Sequence, residues 1–172
     1  MPTRIILARH GETDWNLERR WQGHSDRPLN ETGRTQAEEL AEQLAEEPIA
    51  AVYSSDLIRA HETARIVAGR LGLEVVAVPG LRERQFGSWE GLRDIEVEQQ
   101  FPGVHGPPDG ETREELLRRV LESLEAIATA HAGQTVLVVS HGGPIRAVLR
   151  HHAHPRHEER AANCSVFDLE VD

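Results

Sequence analysis

Lysine is missing altogether, so all 19 basic residues in this 172-residue chain are arginines. Chemistry that needs a lysine amine, such as Schiff-base formation or a P-loop lysine, is therefore excluded. Cysteine is nearly missing too. The single Cys164 has no partner for an internal disulfide, which fits a reducing compartment. Its place in an apparent strand reads as a small buried hydrophobe rather than a nucleophile. No apolar run approaches the ~20 residues of a membrane helix. The run Ile5–Ala8 is too short for a signal-peptide core and has no cleavage-site pattern after it, so the expected location is cytoplasmic. Repeats, long linkers and low-complexity segments are also lacking. The net charge of −10 disfavours nucleic acid and an anionic membrane surface as partners. An anionic ligand would have to be held by a local basic pocket.

What is present is an ordinary globular balance, 38% hydrophobic and 28% charged, at a length that suits one domain over residues 1–172. Apolar β-type runs alternate with helical patterns, which indicates an α/β fold. Strands are predicted at Arg4–Ala8, Ala51–Tyr53, Glu74–Val78, Thr135–Val139 and Ser165–Glu170. Thr135–Val139 is continuously apolar, as in a strand covered on both faces. Four helices are predicted. The first spans about Glu31–Glu46 with Asn30 as N-cap. The second spans about Asp56–Leu71, followed by Gly72 as a C′ residue. The third begins at Thr112 with a Thr112/Glu115 capping box and buries Leu117, Val120, Leu121, Leu124 and Ile127. The fourth has Pro144 in its first turn. Phe101–Gly110, rich in proline and glycine, reads as a surface loop.

Two apolar strands end alike. Ile5–Ala8 runs into Arg9-His10-Gly11, and Thr135–Val139 into Ser140-His141-Gly142-Gly143. Ligands of open α/β sheets bind beyond the carboxyl ends of the strands. If these two are parallel neighbours, His10 and His141 face one another there. Glycines beside them allow close backbone approach, and the helix after His141 offers free N–H groups. Two imidazoles, an arginine and a helix N-terminus make a phosphate site. Arg59, early in the second helix, and Glu83, in Leu81-Arg82-Glu83-Arg84-Gln85-Phe86-Gly87, are further candidates, the latter as a general acid. Taken singly, each is better explained as an exposed charge.

Seven segments carry a resemblance to a known family. They are Leu7-Ala8-Arg9-His10-Gly11-Glu12-Thr13-Asp14-Trp15-Asn16, Arg20–Leu29, Gly33–Ala37, Tyr53–Ala60 with Thr63-Ala64, Phe86–Gly91, Pro108–Thr112 and Ser140–Arg146. In this order they resemble the histidine phosphatase superfamily, the phosphoglycerate mutase-like proteins, over most of the chain. The resemblance implies a three-layer α/β/α sandwich with a mostly parallel central sheet. It also implies phosphatase action on a small-molecule phosphate ester. His10 would be the nucleophile, with Arg9, Arg59 and His141 around the phosphoryl group and Glu83 as proton donor. Asn16, Gln22, Gly23 and the backbone of Gly142 would touch the substrate.

No metal or other cofactor is expected, and a homodimer is left open. The phosphatase branch, including α-ribazole phosphate and broad-specificity phosphatases, is favoured by Gly142-Gly143-Pro144 and by the 57 residues between Glu83 and His141. A cofactor-dependent phosphoglycerate mutase shares the catalytic set and stays as an alternative. A reading of another class, a metal-binding or interaction domain, rests only on His151, His152, His154 and His157; a solvated helix end explains them better.

Overall fold

The computed structural model describes all residues, 1–172. Its centre is a five-stranded sheet in the order β3-β2-β4-β1-β5. The strands are β1 Thr3–Arg9, β2 Ile49–Ser54, β3 Val75–Ala77, β4 Thr135–Ser140 and β5 Val166–Val171. Four of them run parallel; β5 is antiparallel to β1. The continuous apolar pattern of Thr135–Val139 is explained by its central position, where Val136 to Val139 are wholly buried. Side chains alternate across the sheet. Ile5, Leu7, Val136, Val138 and Phe167 pack against Val120, Leu124, Ile145 and Val148 on one face. Ile6, Ala8, Val52, Leu137 and Val139 pack against Leu40, Ala41, Ala64 and Val67 on the other. The result is the three-layer sandwich that the resemblance implied.

Six helices surround the sheet: α1 Asp14–Leu17, α2 Glu31–Gln43, α3 Ile58–Leu71, α4 Asp94–Gln100, α5 Arg113–Ala130 and α6 Gly142–His151. Two of them, α1 and α4, were not read from sequence, being one and two turns long with no usable apolar period. α1 is held by Thr13 and Asn16 in a reciprocal cap, and α4 by the Glu96 carboxylate accepting from the Arg93 N–H at 2.8 Å. Expected caps are in place at Asn30 and Thr112, and Pro144 lies in the first turn of α6.

Several boundaries differ. α2 stops at Gln43 rather than Glu46, the chain turning through Leu44. α3 begins at Ile58 rather than Asp56, because Asp56 is engaged elsewhere and Asp26 takes the place of a cap at the first helical N–H. Asp56 takes a two-point hydrogen bond from Arg82, and Asp26 accepts from the Ile58 N–H at 2.7 Å. α5 buries Leu116, while Leu117 and Leu121 are only partly covered. Cys164 is not in a strand. It has φ of 57° in the turn before β5, and its N–H donates to the Arg9 carbonyl at 3.0 Å, so it helps fasten the end of β1. Burial pushes its thiol up to about 12, which removes it as a nucleophile. The Phe101–Gly110 segment is irregular, as expected, but it does not line the cavity described next.

Candidate active site

β1 and β4 are adjacent and parallel with Arg9 opposite Ser140. The next residue of each strand is a histidine, so the two imidazoles meet at the carboxyl edge of the sheet. Their ring centres are 5.1 Å apart at an interplanar angle of 58°. Both are buried, His10 to 2% exposure and His141 to 0%. His10 Nδ1 lies 2.6 Å from the Gly11 carbonyl oxygen. A carbonyl only accepts, so Nδ1 carries the proton and Nε2 presents its lone pair. Neither ring nitrogen of His141 has a partner, an unusual state for a buried polar group that points to a ligand. Burial holds both imidazoles well below their usual range, and the positive charge of Arg59, and more weakly of Arg9, adds to this.

Arg59 is not a solvated helix arginine. It is 1% exposed, in the first turn of α3, and its Nη atoms donate to the carbonyls of Ser25 at 2.8 Å and Gly23 at 2.7 Å. Burial brings its pKa down to about 10, partly opposed by Glu83, so it stays charged at neutral pH. Arg9 donates Nη1 to the Ala161 carbonyl at 2.7 Å. The Nε atoms of both arginines are buried without partners. Two guanidiniums and an imidazole thus keep unused polar atoms in one small volume, where charge-assisted bonds to an oxyanion are strongest.

Glu83 lines the same cavity, against the start of α6. One carboxylate oxygen accepts from the Gly143 N–H at 3.1 Å and the other from the Arg84 N–H at 2.7 Å. A Cβ at Gly143 would come within 2.1 Å of that carboxylate, so any side chain there would push Glu83 from its position. At Gly11 the reason differs from the sequence expectation: a Cβ would collide with the Gly33 backbone at 2.4 Å. Its bareness admits α2 rather than a ligand.

The candidates Asn16, Gln22, Gly23 and Gly142 all line the same cavity of about 830 Å³ with Arg9, His10, Arg59 and Glu83. The Asn16 side-chain oxygen accepts from Thr13 N at 3.1 Å, and the Gln22 side-chain oxygen from Thr13 Oγ1 at 2.8 Å. Their amide N–H groups are left for a ligand. As the first residue of α6, Gly142 has an N–H without an intrahelical partner.

Sequence reasoning missed the supports. Arg119 of α5 donates to the carbonyls of Gly80, Arg82 and Glu83, each at 2.8 Å, and pairs with Glu111 at 2.6 Å. His24 donates from Nε2 to the Glu83 carbonyl at 2.8 Å. Asn163 donates to the His10 carbonyl at 3.0 Å. No spacing rule links these residues to the carbonyls they hold, because those contacts span 36 residues or more of the chain. The histidines of 151–157 do not converge. His151 meets His152, and His154 meets Phe167, edge to face, while His157 Nδ1 donates to the His154 carbonyl at 2.7 Å.

A mostly parallel sheet with two histidines and two arginines gathered at its carboxyl edge defines an α/β protein built to handle a phosphoryl group. The chain belongs to the histidine phosphatase superfamily (branch 1), whose family model matches residues 5–172. It is 43% identical over 159 residues to a metal-independent phosphoserine phosphatase of Arabidopsis thaliana, covering 85% of this chain and 67% of that protein. Among solved structures it is similar to YhfR of Bacillus stearothermophilus, with a TM-score of 0.89 and 36% identity over 99% of this chain and 92% of that one. A mycobacterial glucosyl-3-phosphoglycerate phosphatase in complex with VO3 gives a TM-score of 0.88 and 31% identity, over 96% and 90% of the two chains.

Proposed function

We propose that the chain hydrolyses small phosphomonoesters by way of a phosphohistidine on Nε2 of His10. The observation that carries this reading is the fixed tautomer of His10, with Nδ1–H on the Gly11 carbonyl and Nε2 free beside the unpartnered polar atoms of Arg9, Arg59 and His141. Nε2 attacks phosphorus, the ester P–O bond breaks, and a protonated Glu83 delivers its proton to the leaving oxygen. Water then attacks phosphorus as the Glu83 carboxylate takes its proton, the P–N bond breaks, and phosphate leaves with His10 neutral again. Arg9 and Arg59 hold the equatorial oxygens throughout, as phosphoryl transfer needs positioning and charge more than covalent help. These groups provide the positive charge that a metal ion would otherwise bring. Relatives named for phosphoserine and glucosyl-3-phosphoglycerate support a small, soluble ester as substrate.

His10→Ala is expected to abolish phosphate release and to remove an acid-labile, base-stable phosphate trapped on the unaltered protein by rapid quench. Substantial turnover in a clean preparation of the variant would defeat the mechanism. Excess chelator should leave activity intact. The same preparations, given 2,3-bisphosphoglycerate, should interconvert 2- and 3-phosphoglycerate far more slowly than they release phosphate. The short Glu83–His141 interval leaves no insertion to shield the intermediate from water.

A further inference from the structure

The active-site cavity is far more basic than phosphoryl transfer at His10 requires. Nine of the nineteen arginines line it, against three carboxylates, Glu83, Asp94 and Glu114, although the whole chain carries a net charge of −10. Arg9 and Arg59 serve the phosphoryl group. Arg20 pairs with Glu18, Arg84 donates to the Glu111 carbonyl, and Arg150 approaches Glu158. Arg19, Arg113, Arg146 and Arg160 remain, and none of them forms an ion pair.

Three of these four stand where local physics opposes them. Arg19 has φ of 57°, in the left-handed region that favours glycine. Arg113 is the first residue of α5, where the helix dipole disfavours a cation. Arg146 and Arg150 are a like-charged i,i+4 pair on the cavity side of α6, an arrangement that repels. Arg146 and Arg160 are also close enough to Arg9 to lower its proton affinity. Guanidiniums without ion-pair partners on the wall of one concave site are neutralised most simply by an anion that enters it.

We propose that Arg19, Arg113, Arg146 and Arg160 form a second anion subsite, so that the preferred substrate is a small phosphomonoester with a second oxyanion, a carboxylate or a further phosphate. This rests on the phosphatase reading above and narrows its substrate class. The ligand is a small molecule because the basic groups line a cavity of about 830 Å³ rather than an open face of an otherwise acidic protein.

The test compares matched esters. 3-Phosphoglycerate against glycerol 3-phosphate reads the carboxylate, and fructose 1,6-bisphosphate against fructose 6-phosphate reads the second phosphate. In at least one arm the member with the second oxyanion should have kcat/KM higher by about tenfold or more, mostly through KM. The preference should shrink as ionic strength rises. Arg19→Gln, Arg113→Gln, Arg146→Gln and Arg160→Gln combined should erase it while leaving turnover of glycerol 3-phosphate and fructose 6-phosphate within about twofold. Both arms flat in the unaltered protein, or a preference that survives in the fourfold variant, would overturn the subsite. Calorimetric binding of the same four compounds to His10→Ala repeats the comparison without turnover. A protein that preferred the ligands with a second oxyanion yet released no phosphate would defeat the phosphatase reading and leave the subsite standing.

Discussion

At the scale of single residues, the site depends on atoms placed where a larger group would not fit. Gly143 shows this best. It lies in the first turn of α6 at an ordinary helical φ, so alanine there would be welcome to the backbone, by up to about 1 kcal/mol. Its Cβ, however, would come within 2.1 Å of the Glu83 carboxylate. Gly143→Ala should therefore keep or slightly raise the melting temperature while displacing Glu83. We expect kcat on alkyl phosphates to fall about 10- to 100-fold, less than the ~10²–10⁴ of complete loss of general acid help because Glu83 is displaced rather than removed. p-Nitrophenyl phosphate, whose leaving group needs little protonation, should lose much less in single-turnover transfer. Equal losses on both substrates would show that the glycine serves something other than Glu83.

At the scale of elements, legibility followed periodicity. Helices α2, α3, α5 and α6 and all five strands left apolar patterns and caps in the sequence, and so they were found. The two that were not, α1 and α4, are held by contacts at their ends rather than by an apolar stripe. The catalytic candidates at strand ends were legible because topology puts strand ends together. The Arg119 clamp was not, since its partners lie 36 to 39 residues away in a segment without regular structure. That segment carries Glu83, and α5 holds it through one side chain that donates to three of its carbonyls and is braced by Glu111. Lysine retains the charge but not the planar fork. Arg119→Lys should thus act as a positioning change, lowering kcat on alkyl phosphates by about tenfold with KM nearly constant. The nitrophenyl ester should be spared. Glu111→Gln, which keeps shape but weakens the pair, should produce the same selectivity more mildly. A uniform loss on every substrate, tracking a fall in melting temperature, would reduce Arg119 to a structural role.

At the scale of the whole molecule, the sheet achieves its convergence of basic groups at a cost to stability that pH exposes. His10 and His141 are held neutral by burial, whereas in the unfolded chain each takes a proton near pH 6.5. As pH falls below that value the unfolded state gains protons that the folded state refuses, so stability must fall. The slope approaches about 1.4 kcal/mol per pH unit for each histidine, or about 2.7 for the pair, until the depressed folded values are reached. Denaturant unfolding between pH 7 and pH 5 should show this, and His141→Gln should remove about half the slope. An unchanged slope in that variant would mean that the histidines are not the groups responsible. Inorganic phosphate separates the cost from its purpose. A dianion beside the imidazoles favours their protonated forms and raises their folded-state affinity for protons. Phosphate should therefore flatten the acid slope as well as raise stability overall, by about 2.7 kcal/mol at a hundred times its dissociation constant. For a chain of this length that corresponds to roughly 5–10 °C in melting temperature. Sulfate at pH 7 should act more weakly if proton uptake by His141 accompanies binding of the phosphate dianion, because sulfate is the weaker hydrogen-bond acceptor. Equal shifts from the two anions, with the acid slope untouched, would mean that the anion is held by the arginines alone and that His141 stays neutral with its ligand bound.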